Sequence, residues 1–497
     1  MQQTSQSFNY LIISDLHLQE AEQTSGGRLF YFDQEFTDFL RYYRHSYEGE
    51  RRWRLIIAGD FIEFYHRMDE QPDPNDKLLK GVELTQNDLK FLLGTECQKS
   101  VWKLDRIAKS HQLLFIAMAR FIVEGNEIYL MRGNHDLEFF WPEVQSHFCL
   151  LLAQSHPIEI SYFEMKTLVQ ERVRFVPWFY LEKDFLFVEH GHQYDSYCSN
   201  AHNLYPVLPS NHQVLEIALS AFTIRYFVSR IKNVEPAALE TINSIPKYLG
   251  YMIRNNPRQL LQMPIYCLEM IFRTLTKARK VPSVVEETIR QMEAKIREDI
   301  QASYGLPDNT LNIIEQLSHL PVLRQRWETI KCFGLDLAII ALGGFTAGLG
   351  IWLTASHYSE IWGSLFLSVL AALALLYVGR TRVNRFNDHR NLRKIAQKIR
   401  DTVGCRYVVF GHSHDPDVHP LSKTHDHWYF NVGTWIPRSK ERQFVYLAIL
   451  KDQTGPSAHL LRWDREHAQP LELDLTSYVK GSPERKAMMA GKQSGKR

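Results

Sequence analysis

Residues 8–17, from Phe8 to His17, read FNYLIISDLH and set an apolar run of strand length directly against an acid and an imidazole. A run this short, rich in Ile and aromatic residues and free of Gly and Pro, fits a buried strand. The same arrangement recurs along the chain. Residues 53–60 read WRLIIAGD, 127–136 EIYLMRGNHD, 184–192 DFLFVEHGH and 406–414 RYVVFGHSH. Each strand candidate hands over to a short polar cluster. In α/β sheets, ligand sites lie just beyond the carboxyl ends of the strands. Five such loops at one sheet edge can meet at a single site, which predicts a mixed α/β fold organised around that edge.

The clustered side chains suit a pair of divalent cations. Carboxylate oxygens, imidazole nitrogens and an amide oxygen are ligands for manganese, iron or zinc, and no thiolate is needed. Asp15 and His17 stand two residues apart, so an extended strand end presents both toward one face. Asp60 follows a glycine that permits close backbone approach and can bridge two ions. Two metals about 3.5–4 Å apart can orient a phosphorus centre and stabilise the leaving oxygen of an in-line displacement. An isolated Asp-x-His is most often a loop feature. Five clusters in order, each behind a strand, point to chemistry.

The ordered set DLH, GD, GNHD, HGH and GHSH, with NVGTW at 431–435, resembles the signature of calcineurin-like metallophosphoesterases. The likeness covers roughly residues 8–202 and 391–450. It implies a two-sheet sandwich flanked by helices, and it implies roles. Asp15, His17, Asp60 and His414 would hold one metal, and Asp60, Asn134, His190 and His412 the other. Asp60 would bridge two divalent ions, manganese first and iron or zinc as alternatives, that activate the attacking water. His135 would lie beside the scissile phosphate, stabilising charge or protonating the leaving oxygen. Asp136 would orient His135. His192, Asp195 and Arg132 are candidate substrate contacts. Each has a structural alternative: His192 satisfying a backbone group, Asp195 building its loop with Tyr194 and Asn200, Arg132 ending its strand.

At 497 residues the chain exceeds one average domain of about 100–200 residues. The pattern divides it into 1–205 and 380–476 as the two parts of a phosphoesterase domain, 206–332 as a helical insertion, 333–379 as an apolar hairpin and 477–497 as a flexible basic tail. A single long helix is expected over 100–124. From 211 to 326 no strand is expected, and helices are read at 214–232, 246–254 and 264–280. The apolar runs 335–355 and 361–378 approach the roughly 20 residues that cross a bilayer. They are joined by SHYSE and flanked by Lys and Arg on both outer sides. That pattern predicts a transmembrane hairpin with both ends, and the catalytic domain, on the cytoplasmic side. Cations set among apolar residues of the insertion, such as Arg225, Arg230 and Arg273, suggest a lid on an anionic membrane surface.

A net charge of +2 gives no argument for a nucleic-acid partner. Six scattered cysteines without a C-x-x-C pair fit reduced thiols, and the first nine residues lack a secretory pattern. The expected activity is a membrane-associated, two-metal hydrolysis of a phosphoester or diphosphate on a lipid-linked substrate. The insertion between the fourth and fifth loops is similar to that of the branch containing UDP-2,3-diacylglucosamine hydrolases, which carries Arg where this chain has His135. A phosphodiesterase, phosphatase or nuclease on soluble substrates is the alternative within the same chemistry. A non-catalytic membrane scaffold is the alternative outside it.

Overall fold

The computed structural model describes residues 8–20, 32–45, 51–66, 68, 71–230, 262–277, 283–332, 346, 388–436, 442–452 and 455–473. The strands in chain order are β1 (Asn9–Ile13), β2 (Trp53–Ala58), β3 (Glu127–Met131), β4 (Val173–Val176), β5 (Tyr180–Glu182), β6 (Leu186–Glu189) and β7 (Val207–Leu208). They continue as β8 (Asn211–Leu215), β9 (Tyr407–Phe410), β10 (Asp417–Pro420), β11 (Trp428–Asn431), β12 (Val445–Asp452), β13 (Gly455–Asp464) and β14 (Gln469–Glu472). The fold is mixed α/β with two main sheets. One has the order β14-β13-β12-β1-β2-β3-β4 and the other β10-β11-β9-β6-β5.

The central strands are apolar over most of their length because both of their faces are covered. Alternate residues turn to opposite sides. Leu11, Ile13, Leu55, Ile57, Ile128 and Leu130 pack with the helices outside the larger sheet. Tyr10, Ile12, Ile56, Ala58 and Met131 pack inward with Leu186, Val188, Tyr407, Val409 and Phe430 of the smaller sheet. The outer face of that sheet, through Phe187, Val408 and Phe410, meets Leu392, Ile395 and Ile399 of the helix Asp388–Val403. Their spacing is that of one helical stripe. The helix stops at Gly404, whose φ of +71° suits the residue after a helix end.

Several expectations are corrected. The single helix over 100–124 is two, Cys97–Ser110 and Gln112–Val123. The break falls at His111, whose ring is held by Asp33 at 2.7 Å and the Gln19 carbonyl at 2.9 Å. Two tertiary bonds outweigh helix periodicity there. The insertion is not purely helical, because β7 and β8 form an antiparallel pair at its start. Of the cations expected on a membrane surface, Arg225 is buried and donates to the Leu92 carbonyl. Arg230 and Arg273 both pair with Glu269. Arg225 thus ties the insertion to the first part of the chain, and Arg230 and Arg273, through Glu269, join two segments within it. The readings at 246–254, 335–355, 361–378 and 477–497 lie outside the described residues, apart from residue 346. Among the described residues no helix is long and apolar enough to cross a membrane.

Candidate metal centre

Strand register brings the five loops to one level. β1 and β2 run parallel with Ile13 opposite Ile57, and β2 and β3 with Ala58 opposite Met131. β6 and β9 run parallel with Glu189 opposite Phe410. The residues that follow these ends are the motif residues. Glycine makes the close approach feasible: a Cβ on Gly133 would lie 2.1 Å from Asp60 Oδ1, and one on Gly411 would lie 2.0 Å from Ser14 Oγ. Asp15, His17, Asp60, His412 and His414 have φ between 48° and 64°. A left-handed backbone costs a non-glycine residue on the order of 1–3 kcal/mol and tends to gather at functional sites.

Each candidate carboxylate is fixed by one oxygen and presents the other. Asp15 Oδ2 accepts the His412 N–H at 2.9 Å and the Ser14 hydroxyl. Asp15 Oδ1 faces His414 Nε2 at 2.9 Å and His17 Nε2 at 3.8 Å. Asp60 Oδ1 accepts the His135 N–H at 2.8 Å. Asp60 Oδ2 faces His190 Nε2 at 3.1 Å and His17 Nε2 at 3.7 Å. The ligand atoms fall into the groups Asp15–His17–His414, His17–Asp60–His135 and Asp60–His190–His412, each within 4.8 Å. Asn134 Oδ1 reaches the last group, 3.3 Å from His190 Nε2. His190 Nδ1 sits 2.7 Å from the Ala58 carbonyl, which fixes the ring with Nε2 turned inward.

These residues fit divalent cations. Buried Asp15 Oδ1 has no hydrogen-bond donor aligned on it among the described residues, although two imidazole nitrogens stand around it. Such an atom needs a partner, and a cation among oxygen and nitrogen donors supplies one. The charges agree. Burial opposes ionisation of Asp15, but His414 and His190 hold its carboxyl well below the usual range. Burial likewise opposes ionisation of Asp60, and His190 and His135 overcome it. Burial works against a His190 cation, yet Asp60 and Asp15 push its pKa up to about 9, so a bound cation would have to displace a ring proton there.

The carboxylate that meets His135 is not Asp136. Asp136 accepts backbone N–H groups from Gly133 at 2.6 Å and Phe61 at 2.8 Å, tying two motif loops together. Glu63 Oε2 lies 2.5 Å from His135 Nδ1 and 3.3 Å from His17 Nδ1, and Glu63 Oε1 accepts the Tyr65 N–H. Sequence reasoning missed Glu63, although it stands three residues after Asp60 in GDFIE. For a hydrolase built on this site, Glu63→Gln is expected to lower turnover about 10–100-fold while cations still bind, as loss of an orienting partner does. Turnover measured beside bound-metal analysis checks this.

The three candidate substrate contacts separate. Arg132 donates to the carbonyls of Pro177 at 2.5 Å and Asn203 at 3.2 Å. It also lines a cavity of about 230 Å³ with Leu130, Phe140 and Ile296. His192 is buried beside the Gln193 amide at 2.9 Å and joins none of the groups above. Burial, reinforced by His190 and His412, depresses its pKa well below the usual value and keeps it neutral. Because its ring lies outside the ligand groups, His192→Ala should cost less than the about 10²-fold minimum of a proton-transfer group. A larger loss in turnover would place its ring on the substrate. Asp195 Oδ2 lies 3.5 Å from His412 Nε2, and with Cys198 these residues form a further group within 4.8 Å. No protein-family model matches the chain and no curated protein matches it, so the arrangement of these loops carries the functional reading.

Proposed function

We propose that the protein is a hydrolase of phosphoester or diphosphate bonds that works with two divalent cations, manganese foremost, in the manner of calcineurin-like metallophosphoesterases. The observation that carries this reading is Asp60, whose single oxygen Oδ2 faces both His17 and His190 and so links the two ligand groups. Asp15, His17, Asp60 and His414 would hold one cation, and Asp60, Asn134, His190 and His412 the other. Bound there, the pair supplies Lewis-acid activation of water and neutralises charge on the phosphate.

The chain's own residues do the rest. The Asp15 and Asp60 oxygens tied to backbone amides keep the ligand loops from rotating. Glu63 holds the His135 ring through Nδ1, so His135 meets the leaving oxygen in a fixed orientation. A lipid-linked substrate at a membrane surface is supported by the insertion between the fourth and fifth loops and by the apolar runs 335–355 and 361–378. Purified protein is expected to hydrolyse bis-p-nitrophenyl phosphate with manganese, to lose that activity to a chelator and to regain it on manganese addition. Extracted membrane lipids, compared by mass spectrometry before and after incubation, would reveal the substrate. Hydrolysis indifferent to chelation, or none with any divalent cation, would overturn the reading. Turnover restricted to soluble nucleotides would remove its lipid part.

A further inference from the structure

We propose that Asp195, Cys198 and His412 form an alternative cation position, selective for a thiophilic divalent ion such as zinc or cadmium, that shares His412 with the Asp60–His190–His412 group. Their ligand atoms lie within 4.8 Å of one another. The turn after the short 3-10 helix His192–Tyr194 presents Asp195 and Cys198, and the loop after β9 brings His412 to them. The Asp195 carbonyl accepts the N–H groups of Cys198 at 3.0 Å and Ser199 at 2.8 Å, so thiol and carboxylate share one rigid turn. Asp195 follows the pattern of Asp15 and Asp60: Oδ1 accepts the Tyr197 N–H at 2.9 Å, and Oδ2 is presented to His412 at 3.5 Å. Asp195 is partly exposed, which gives an entry path, whereas Cys198 is buried at 8% exposure.

The donor set is one thiol, one carboxylate and one imidazole. A thiolate selects zinc over manganese, and three protein ligands leave a fourth position open. On binding, the Cys198 S–H bond breaks, its proton passes to solvent and the sulfur–metal bond forms, with no change of oxidation state. His412 belongs to both groups, so an ion held by Cys198 and Asp195 draws on an imidazole that the Asp60 group also uses. Zinc in excess of the Asp60 sites therefore competes for that ring.

The test reads the metal and not hydrolysis, so it can fail while the phosphoesterase reading stands. Zinc added to the manganese-loaded full-length protein should show, by X-ray absorption, one sulfur neighbour at about 2.3 Å. Titration with cadmium should give a thiolate charge-transfer band that Cys198→Ser removes. Asp195→Asn, which keeps the thiol, should weaken cadmium binding by at least about 10-fold. Zinc with only nitrogen and oxygen neighbours in the wild type overturns the proposal even if Cys198→Ser fails to fold. So does a cadmium band that survives in Cys198→Ser, since another thiol then binds.

Discussion

Asp60→Asn should leave a folded protein that binds divalent cations weakly and hydrolyses phosphodiesters at least about 10³-fold more slowly. The side chains are nearly isosteric, and an Asn Oδ1 can still accept the His135 N–H that Asp60 accepts at 2.8 Å. The loop geometry therefore survives. What disappears is the charge at Oδ2, the one oxygen set toward both His17 at 3.7 Å and His190 at 3.1 Å. Without it, two imidazole-rich groups lose their shared anion, and cations placed in both would repel each other without relief. Turnover, bound metal by mass spectrometry and the urea midpoint should be read together. An unchanged midpoint with loss of metal and turnover is the expected result. Retention of more than a tenth of the activity would falsify the bridging role.

Lys103→Met should destabilise the protein by about 3–5 kcal/mol, the cost of breaking a buried ion pair by removing one partner. Lys103 and Glu138 are both fully buried, with Nζ 3.0 Å from Oε1. Nζ also donates to the Phe64 carbonyl at 3.1 Å. Burial lowers the Lys103 pKa, and Glu138 counteracts it. Glu138 follows the GNHD cluster and Phe64 follows GDFIE, so one ammonium clamps the helix Cys97–Ser110 to two ligand loops. The single variant leaves a buried carboxylate with no cation beside it. The double variant Lys103→Met, Glu138→Leu should recover most of the loss, because an apolar pair of similar volume carries no desolvation penalty. Equal losses for the single and double variants in urea unfolding would show that packing, not charge, explains the site.

The strands that lead into candidate ligands were legible because their two signals coincide. An apolar run such as LIIS or VVFG reports burial on both faces, and the polar cluster after it reports the functional end. β4, β5, β10, β13 and β14 carry no such cluster, and β8 (NHQVL) has mostly exposed residues, so nothing in their local pattern separates them from loop or helix. The candidate ligands were legible as residue types at strand ends, since parallel register does the rest. The partners of His135 and Arg132 were not. Both side chains stand next to a ligand loop in sequence. Which of two nearby acids, Glu63 or Asp136, faces a ring depends on a loop crossing that spacing does not encode. Asp136 reads as catalytic by its position, yet it holds backbone.

β1 lies inside the larger sheet, with β2 on one side and β12 on the other, Tyr10 opposite Ile449. A ribosome releases the first of these strands long before the last. At about 5–20 residues per second, roughly 20 to 90 seconds pass before the partner emerges. Until then one flank of β1 stays open, and an open flank of such apolar composition invites pairing with other chains. Production of the protein should accordingly depend on chaperones and improve with slow, cool expression. A fragment ending before residue 445 should accumulate as aggregate, not as a smaller soluble protein.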